Sequence, residues 1–137
     1  MFTHIMVPVD LVHKDKLQKA LDVAGDMAKL HTAKVHVVTV SGDLPGELGH
    51  TPAEVAAALT AFAAELKEKY GVDVEAHPVT SNDPAADTTR KLMAAIDDIG
   101  ADLVVMASHQ PGIMEHIFNS HGGYIARHAK CSVFVVR

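Results

Sequence analysis

The sequence predicts an α/β protein, a three-layer sandwich in which a parallel sheet is covered by helices on both faces. Apolar runs of strand length recur at 2–9, 34–40, 72–80, 103–108 and 132–136, with helix-length segments between them. The runs are apolar almost throughout, Leu103-Val104-Val105-Met106 above all, which is the pattern of strands buried on both sides. Strands that alternate with helices need right-handed crossovers, and such crossovers make the strands parallel.

The first run, Phe2 to Val9, leads to residues 15 to 31, where Leu17, Ala20, Leu21, Ala24, Met27, Ala28 and Leu30 fall at helical spacing. Their common face marks an amphipathic helix lying on a sheet. After the second run, Lys34 to Val40, the stretch from Ser41 to His50 is rich in Gly and contains Pro45. It is predicted to be a surface loop beside the carboxyl end of that strand. Thr51-Pro52-Ala53-Glu54 has the composition of a capping box with Pro at the first helical position. It opens an Ala-rich helix to about Tyr70, which Gly71 stops. The third run, Val72 to Thr80, is followed by the same device in Asp83-Pro84, opening a helix through Leu92, Ala95 and Ile96 that ends near Gly100. The fourth run, Leu103 to Ser108, enters a loop of small residues. A last helix is predicted from near Ser120 to about Ala129, before the strand Ser132 to Val136. No repeat, linker or low-complexity tract interrupts the pattern.

With 137 residues, 48% of them hydrophobic, the chain is long enough for one good core and short for two, so one domain is expected over residues 1–137. The net charge of −5, the lack of a dense Lys/Arg run and the presence of only two Tyr and four Phe argue against nucleic acid or an anionic membrane as the partner. Small ligands are expected instead. The single cysteine, Cys131, excludes an internal disulfide framework and a cysteine-based zinc site, and it fits a reducing compartment. Neither a signal-peptide pattern nor an apolar stretch of membrane-spanning length is present. The expected location is the cytoplasm.

Candidate functional residues lie at the carboxyl ends of the strands, where open α/β sheets bind ligands at the point of reversal in strand order. Pro8-Val9-Asp10 follows the first strand, Val40 ends the second, and Ala107 to Gln110 follow the fourth. Asp10 has two readings: its carboxylate accepts hydrogen bonds from a ribose or adenine, or it caps the next helix. The fourth strand continues through Ser108-His109-Gln110-Pro111-Gly112 to Asn119-Ser120-His121-Gly122-Gly123. Free backbone N–H groups at a helix start favour an anion such as phosphate. Small loops of this kind also occur in proteins that bind nothing, so the loop alone leaves both readings open. Two glycines early in a helix cost roughly 1 kcal/mol each relative to Ala, which suits close approach of a ligand or of a neighbouring helix.

Other chemistry is poorly represented. His109, His116 and His121 cluster around the fourth loop, but none has His-Glu-x-x-His or Cys/His spacing, and no metal site is assigned. There is no Gly-x-Ser-x-Gly elbow, Walker lysine motif or paired carboxylate arrangement. Ser108 and His109 are adjacent on an extended segment and point in opposite directions, so no catalytic residue is assigned. Cys131 reads as a small apolar filler.

Ile5-Met6-Val7-Pro8-Val9-Asp10, Gly100-Ala101-Asp102-Leu103-Val104-Val105-Met106, Ser108-His109 and the ending from Arg127 to Arg137 together resemble the universal stress protein family. The resemblance spans essentially the whole chain. It implies a five-stranded parallel sheet of order 3-2-1-4-5, placing the switch point between the first and fourth strands. ATP-binding members carry Gly-x2-Gly-x9-Gly-Ser/Thr after the fourth strand. Here Ala107 and Gln110 replace the first two glycines and Asn119-Ser120 the final pair, with the intervening segment one residue short. A short insert with Pro after the second position is similar to a branch in which that glycine is replaced and nucleotide binding is kept.

By this resemblance Pro8, Val9 and Asp10 surround adenine and ribose, and Val40 contacts adenine through its backbone. Met106, Ala107, Ser108, His109 and Gln110 follow the ribose and phosphates, while Asn119, Ser120, His121 and Gly122 form the phosphate end. The implied function is a stress-response protein binding ATP, ADP or AMP in a regulatory role, with at most slow hydrolysis and with Mg²⁺ accompanying a triphosphate. The resemblance also implies a homodimer through the strand Val133 to Val136. The alternative is a nucleotide-free dimeric interaction protein of the same fold, favoured by Ala107 and Gln110.

Overall fold

The structure, a computed structural model, describes residues 1–43, 51–108 and 118–137, and for 118–121 the backbone alone. Five strands, β1 (His4–Pro8), β2 (Lys34–Gly42), β3 (Val74–Ser81), β4 (Leu103–Ala107) and β5 (Ser132–Val136), form one sheet of order β3-β2-β1-β4-β5. Every pairing is parallel. Helices α1 (Gln18–His31) and α2 (Pro52–Tyr70) cover one face, and α3 (Pro84–Ile99) and α4 (Phe118–His128) cover the other.

Alternation along the strands divides the core between the two faces. Ile5 and Val7 of β1 join Val35, Val37, Leu103 and Val105 beneath the apolar stripes of α1 and α2, where Ala20, Leu21, Leu59 and Phe62 are buried. Met6 joins Val38, Val104 and Met106 on the other side, against Leu92, Ala95 and Ile96 of α3 and Ile125 of α4. Both faces are therefore dry at the centre of the sheet, which is why the strand runs are continuously apolar.

The predicted helix signals behave as their chemistry requires. Thr51 accepts the Glu54 N–H at 3.2 Å, and α2 stops at Gly71 with φ 66°. Asp83 accepts the Ala86 N–H at 3.4 Å, and α3 stops at Gly100 with φ 70°. A glycine carries such left-handed backbone without a Cβ penalty. Helix α1 ends at His31 as expected but departs from the expectation at its start. A 3-10 segment, Leu11–Leu17, kinked at His13, follows β1, and the α-helix begins at Gln18. The cause is Asp10, which caps that 3-10 turn directly after the strand. At its other end α1 stops at Thr32, the one non-glycine residue with positive φ (55°) among the described residues. Strand β2 runs two residues past Val40 because Ser41 and Gly42 pair with Thr80 and Ser81.

The amino ends of β1 and β4 are joined by Asp102. Its carboxylate accepts the Thr3 N–H at 2.8 Å, the His4 N–H at 3.0 Å and the Thr3 hydroxyl at 3.0 Å, while its own N–H donates to the His4 carbonyl at 3.0 Å. Burial pushes this carboxyl up, and the hydrogen bonds from Thr3 and His4 outweigh burial and hold it below the usual range.

At the carboxyl ends the same two strands part. The β1–β4 register holds only Ile5↔Leu103 and Met6↔Val104, whereas β1 and β2 stay in register from His4↔Lys34 to Pro8↔Val38. The His4 N–H points to the β4 side, and the Val9 N–H donates to Val38 of β2 at 2.8 Å. By alternation the even-numbered amides of β1 face β4. The next after Met6 belongs to Pro8, which has no N–H, so the ladder towards β4 ends there.

On the α3 side of the sheet, three histidines from neighbouring strands form a diagonal chain that starts at the amino end of β1 and reaches the middle of β3. His4 Nδ1 lies 3.0 Å from His36 Nε2, and His36 Nδ1 lies 2.8 Å from His77 Nε2. Burial, then His77 and His4, push His36 down to about 4, so its ring is neutral near pH 7.

Asp102→Asn is expected to cost about 2 kcal/mol at neutral pH, the usual value of hydrogen bonds to a charged group. The carboxyl of the folded protein is depressed, so this stability is present above the unfolded pKa and is lost as pH falls through the folded one. Urea unfolding of both proteins from pH 7 to pH 3 checks this, and a pH-independent difference would remove the charge from the account.

Candidate functional site

The β1–β4 ladder ends after Met6 at the topological switch point, where open α/β sheets bind their ligands, and the residues around it come from three elements. Pro8 ends β1 and Val9 is buried in the core beneath α1, so the backbone and the following carboxylate are what this strand presents. The side chain of Asp10 is 29% exposed. Its Oδ1 accepts the Val12 N–H at 3.0 Å, and its Oδ2 lies 3.0 Å from His13 Nδ1. The capping reading of Asp10 is thus realised. An ionised carboxylate has about four lone-pair sites, so two partners leave acceptor capacity for a ligand.

Across the crevice, Met106 turns its side chain into the core beneath α3 and α4, only 1% exposed. It supplies packing there, and only its backbone remains for a ligand. Ala107 is half-buried and in register with Val136, and the Ser108 N–H donates to the Val136 carbonyl at 2.6 Å. That bond carries the sheet one residue beyond β4 before the chain leaves it. Val40, on β2, packs half-buried against the same cluster as Met106.

Helix α4 is described from Phe118, so Asn119, Ser120, His121 and Gly122 lie on it, near the predicted start. The amide groups of a first turn lack intrahelical partners. A Cβ on Gly122 would come within 3.9 Å of Met106 Cε, an ordinary contact that sets this part of α4 against β4. His109 and Gln110 lie outside the described residues, as does His116, and the side chains of Asn119, Ser120 and His121 do too. Among the described residues, the structure gathers Pro8, Val9, Asp10, Met106, Ala107 and Ser108 at the carboxyl ends of two adjacent strands, with Val40 on the next.

The sequence model of the universal stress protein family matches residues 1–137. The chain belongs to the universal stress protein family. Among curated relatives, universal stress protein G of Salmonella typhimurium is 27% identical over 146 residues, spanning 100% of both chains. Among solved structures, a universal stress protein in complex with cAMP is 21% identical with a TM-score of 0.71, over 99% of this chain and 97% of that one. One from Archaeoglobus fulgidus in complex with dAMP is also 21% identical with a TM-score of 0.71, over 98% of each chain. At this identity the structural likeness speaks for the fold.

In this universal stress protein one residue at the crevice went unnoticed in the sequence. His13 stands against the Asp10 carboxylate, and its signal was the i, i+3 spacing from an aspartate that ends a strand. Among the described residues of this family member no helix is long and apolar enough to cross a membrane.

Because Asp10 is the cap, Asp10→Ala should lower stability by about 1 kcal/mol, and Asp10→Ser, which keeps an oxygen for the Val12 N–H, should recover most of it. Denaturant unfolding of the two variants measures this. Equal losses would mean that the His13 contact, and not capping, is what Asp10 contributes.

Proposed function

We propose that this universal stress protein, a single domain over residues 1–137, binds ATP or a related adenine nucleotide in a regulatory role, with at most slow hydrolysis. The observation that carries the reading is the parting of β1 and β4 after Met6, with Asp10 at the mouth of the crevice. The family members in complex with cAMP and dAMP support it through their ligands. Pro8, Val9 and Asp10 hold adenine and ribose, and Val40 meets adenine through its backbone. The chain from Met106 to Gln110 follows the ribose and phosphates, and Asn119 to Gly122 bind the phosphate end through the first turn of α4. Mg²⁺ accompanies a triphosphate. Bound nucleotide bridges β1 and the segment after β4, so occupancy alters the surface offered to protein partners. The reducing cytoplasm is the compartment that suits a lone cysteine.

A nucleotide-free dimeric interaction protein is the second reading, favoured by β5. This strand is an edge of the sheet, and its Phe134 and Val135 are 44% and 45% exposed. The Ser132 N–H donates to the carbonyl of Asp102, just before β4, so by alternation the Val133 and Val135 amides point to the open edge. An apolar edge with free donors suits pairing with its copy. Dimerisation through β5 is part of both readings.

Mass spectrometry of the molecule released on denaturing the purified protein, with calorimetric ATP titration of the stripped protein, tests the first reading. Stoichiometric adenine nucleotide or ATP binding is expected, and an empty protein indifferent to ATP would select the second. Asp10→Ser should weaken ATP binding by about tenfold or more, the value of one hydrogen bond to a charged group. Val135→Pro removes an outward donor while sparing the β4–β5 ladder, and should give a monomer by light scattering. An unchanged dimer mass would reject the β5 interface.

A further inference from the structure

The histidine chain crosses β1, β2 and β3 on the α3 face of the sheet, from His4 at the amino end of β1 to His77, which is level with Val38 and Pro8. His36 sits on β2, directly in register with Glu75 of β3, and His77 lies two residues further along β3 on the same face. His36 is 5% exposed, while His77 and Glu75 are accessible, with side chains 27% and 46% exposed. Glu75 directs Oε1 to within 3.6 Å of His77 Nε2 and pairs Oε2 with Lys34. One ligand atom from each of His36, Glu75 and His77 lies within 4.8 Å of the others.

We propose that His36, His77 and Glu75 bind a divalent transition-metal ion of the zinc class. Two imidazole nitrogens and one carboxylate oxygen form a donor set that suits zinc with a fourth position left to water. The ion takes His36 Nδ1 and His77 Nε2. A tetrahedral ion with bonds of 2.0–2.1 Å needs its nitrogens about 3.3 Å apart. The present 2.8 Å separation opens to that by a small swing of His77, which stands on the edge strand β3. Metal on Nδ1 fixes the proton of His36 on Nε2, which already faces His4 Nδ1 at 3.0 Å. His4 thus accepts from a ligand ring and fixes its tautomer and orientation, as partners of metal-bound histidines commonly do. Lys34 holds the other carboxylate oxygen and orients Glu75 in the same way. The buried donor His36 supplies rigidity, and the accessible pair from β3 supplies the entry path.

The test uses the full chain without an affinity tag, stripped with a chelator. Calorimetric titration with Zn²⁺ should give one ion per chain, and Co²⁺ should give visible bands of tetrahedral intensity. His77→Gln and Glu75→Gln change accessible side chains and should each weaken Zn²⁺ binding by roughly tenfold or more, with amide spectra confirming the fold. His128→Gln, on the exposed part of α4, should leave it unchanged. No stoichiometric ion in the wild-type protein would overturn the proposal. So would binding that survives both His77→Gln and Glu75→Gln, which would put the ion elsewhere. ATP is absent throughout, so the result is independent of the nucleotide reading.

Discussion

The interaction on which the arrangement depends is the grip of Asp102 on Thr3 and His4. It pins the amino end of β1 to β4 with hydrogen bonds that an ionised carboxylate makes strong, while Pro8 withholds the donor that would keep the other ends together. Two short sequence features thus act on one strand pair in opposite senses. Pinned at one end and released at the other, β1 and β4 splay at the point where the sheet reverses direction. Asp10 follows β1 and Ala107 ends β4, so both stand at the carboxyl ends of that strand pair.

Two regions of the sheet consequently have different characters. At the carboxyl end, the side chains of Val9 and Met106 are consumed by the core, so what remains for a ligand is backbone, small residues and one carboxylate. On the α3 face of β1, β2 and β3 the situation is reversed. His4, His36, Glu75 and His77 bring side-chain donors together across three strands, and the backbone serves only to space them.

Much of this was legible in the sequence because the signals are local. Thr51-Pro52 with Gly71, and Asp83-Pro84 with Gly100, each act within a turn, so they mark helix ends whatever the rest of the chain does. The continuous apolar runs announced strands covered on both faces. The start of α1 was misjudged because periodicity registers which residues are buried, not which turn type holds them: Leu17 is in the core although it precedes the α-helix. The end of α1 at His31 was read correctly from the periodicity, but not that Thr32 closes it in left-handed backbone, a conformation its β-branched side chain does not favour. For Asp10 the sequence correctly offered capping, and that role is compatible with a second one. The histidine chain was illegible for a different reason. Its members are far apart along the chain, and only the parallel register of β1, β2 and β3 makes them neighbours, whereas of the histidines that looked clustered in the sequence, His109 and His116 lie outside the described residues.

The central position of β1 also bears on how the protein is assembled. This strand is made first, and its pairing with β2 closes within a short stretch of chain. Its other side waits for Asp102, 99 residues beyond Thr3. Contacts of such separation close slowly and late. Until β4 arrives, the strand destined for the middle of the sheet is an open edge, apolar on both faces and lacking the partner that Pro8 itself prevents it from holding along its full length. A nascent chain or a fragment that stops short of residue 102 therefore presents its most hydrophobic strand as an adhesive surface. The last third of the sequence, besides framing the crevice, is what takes that surface out of circulation.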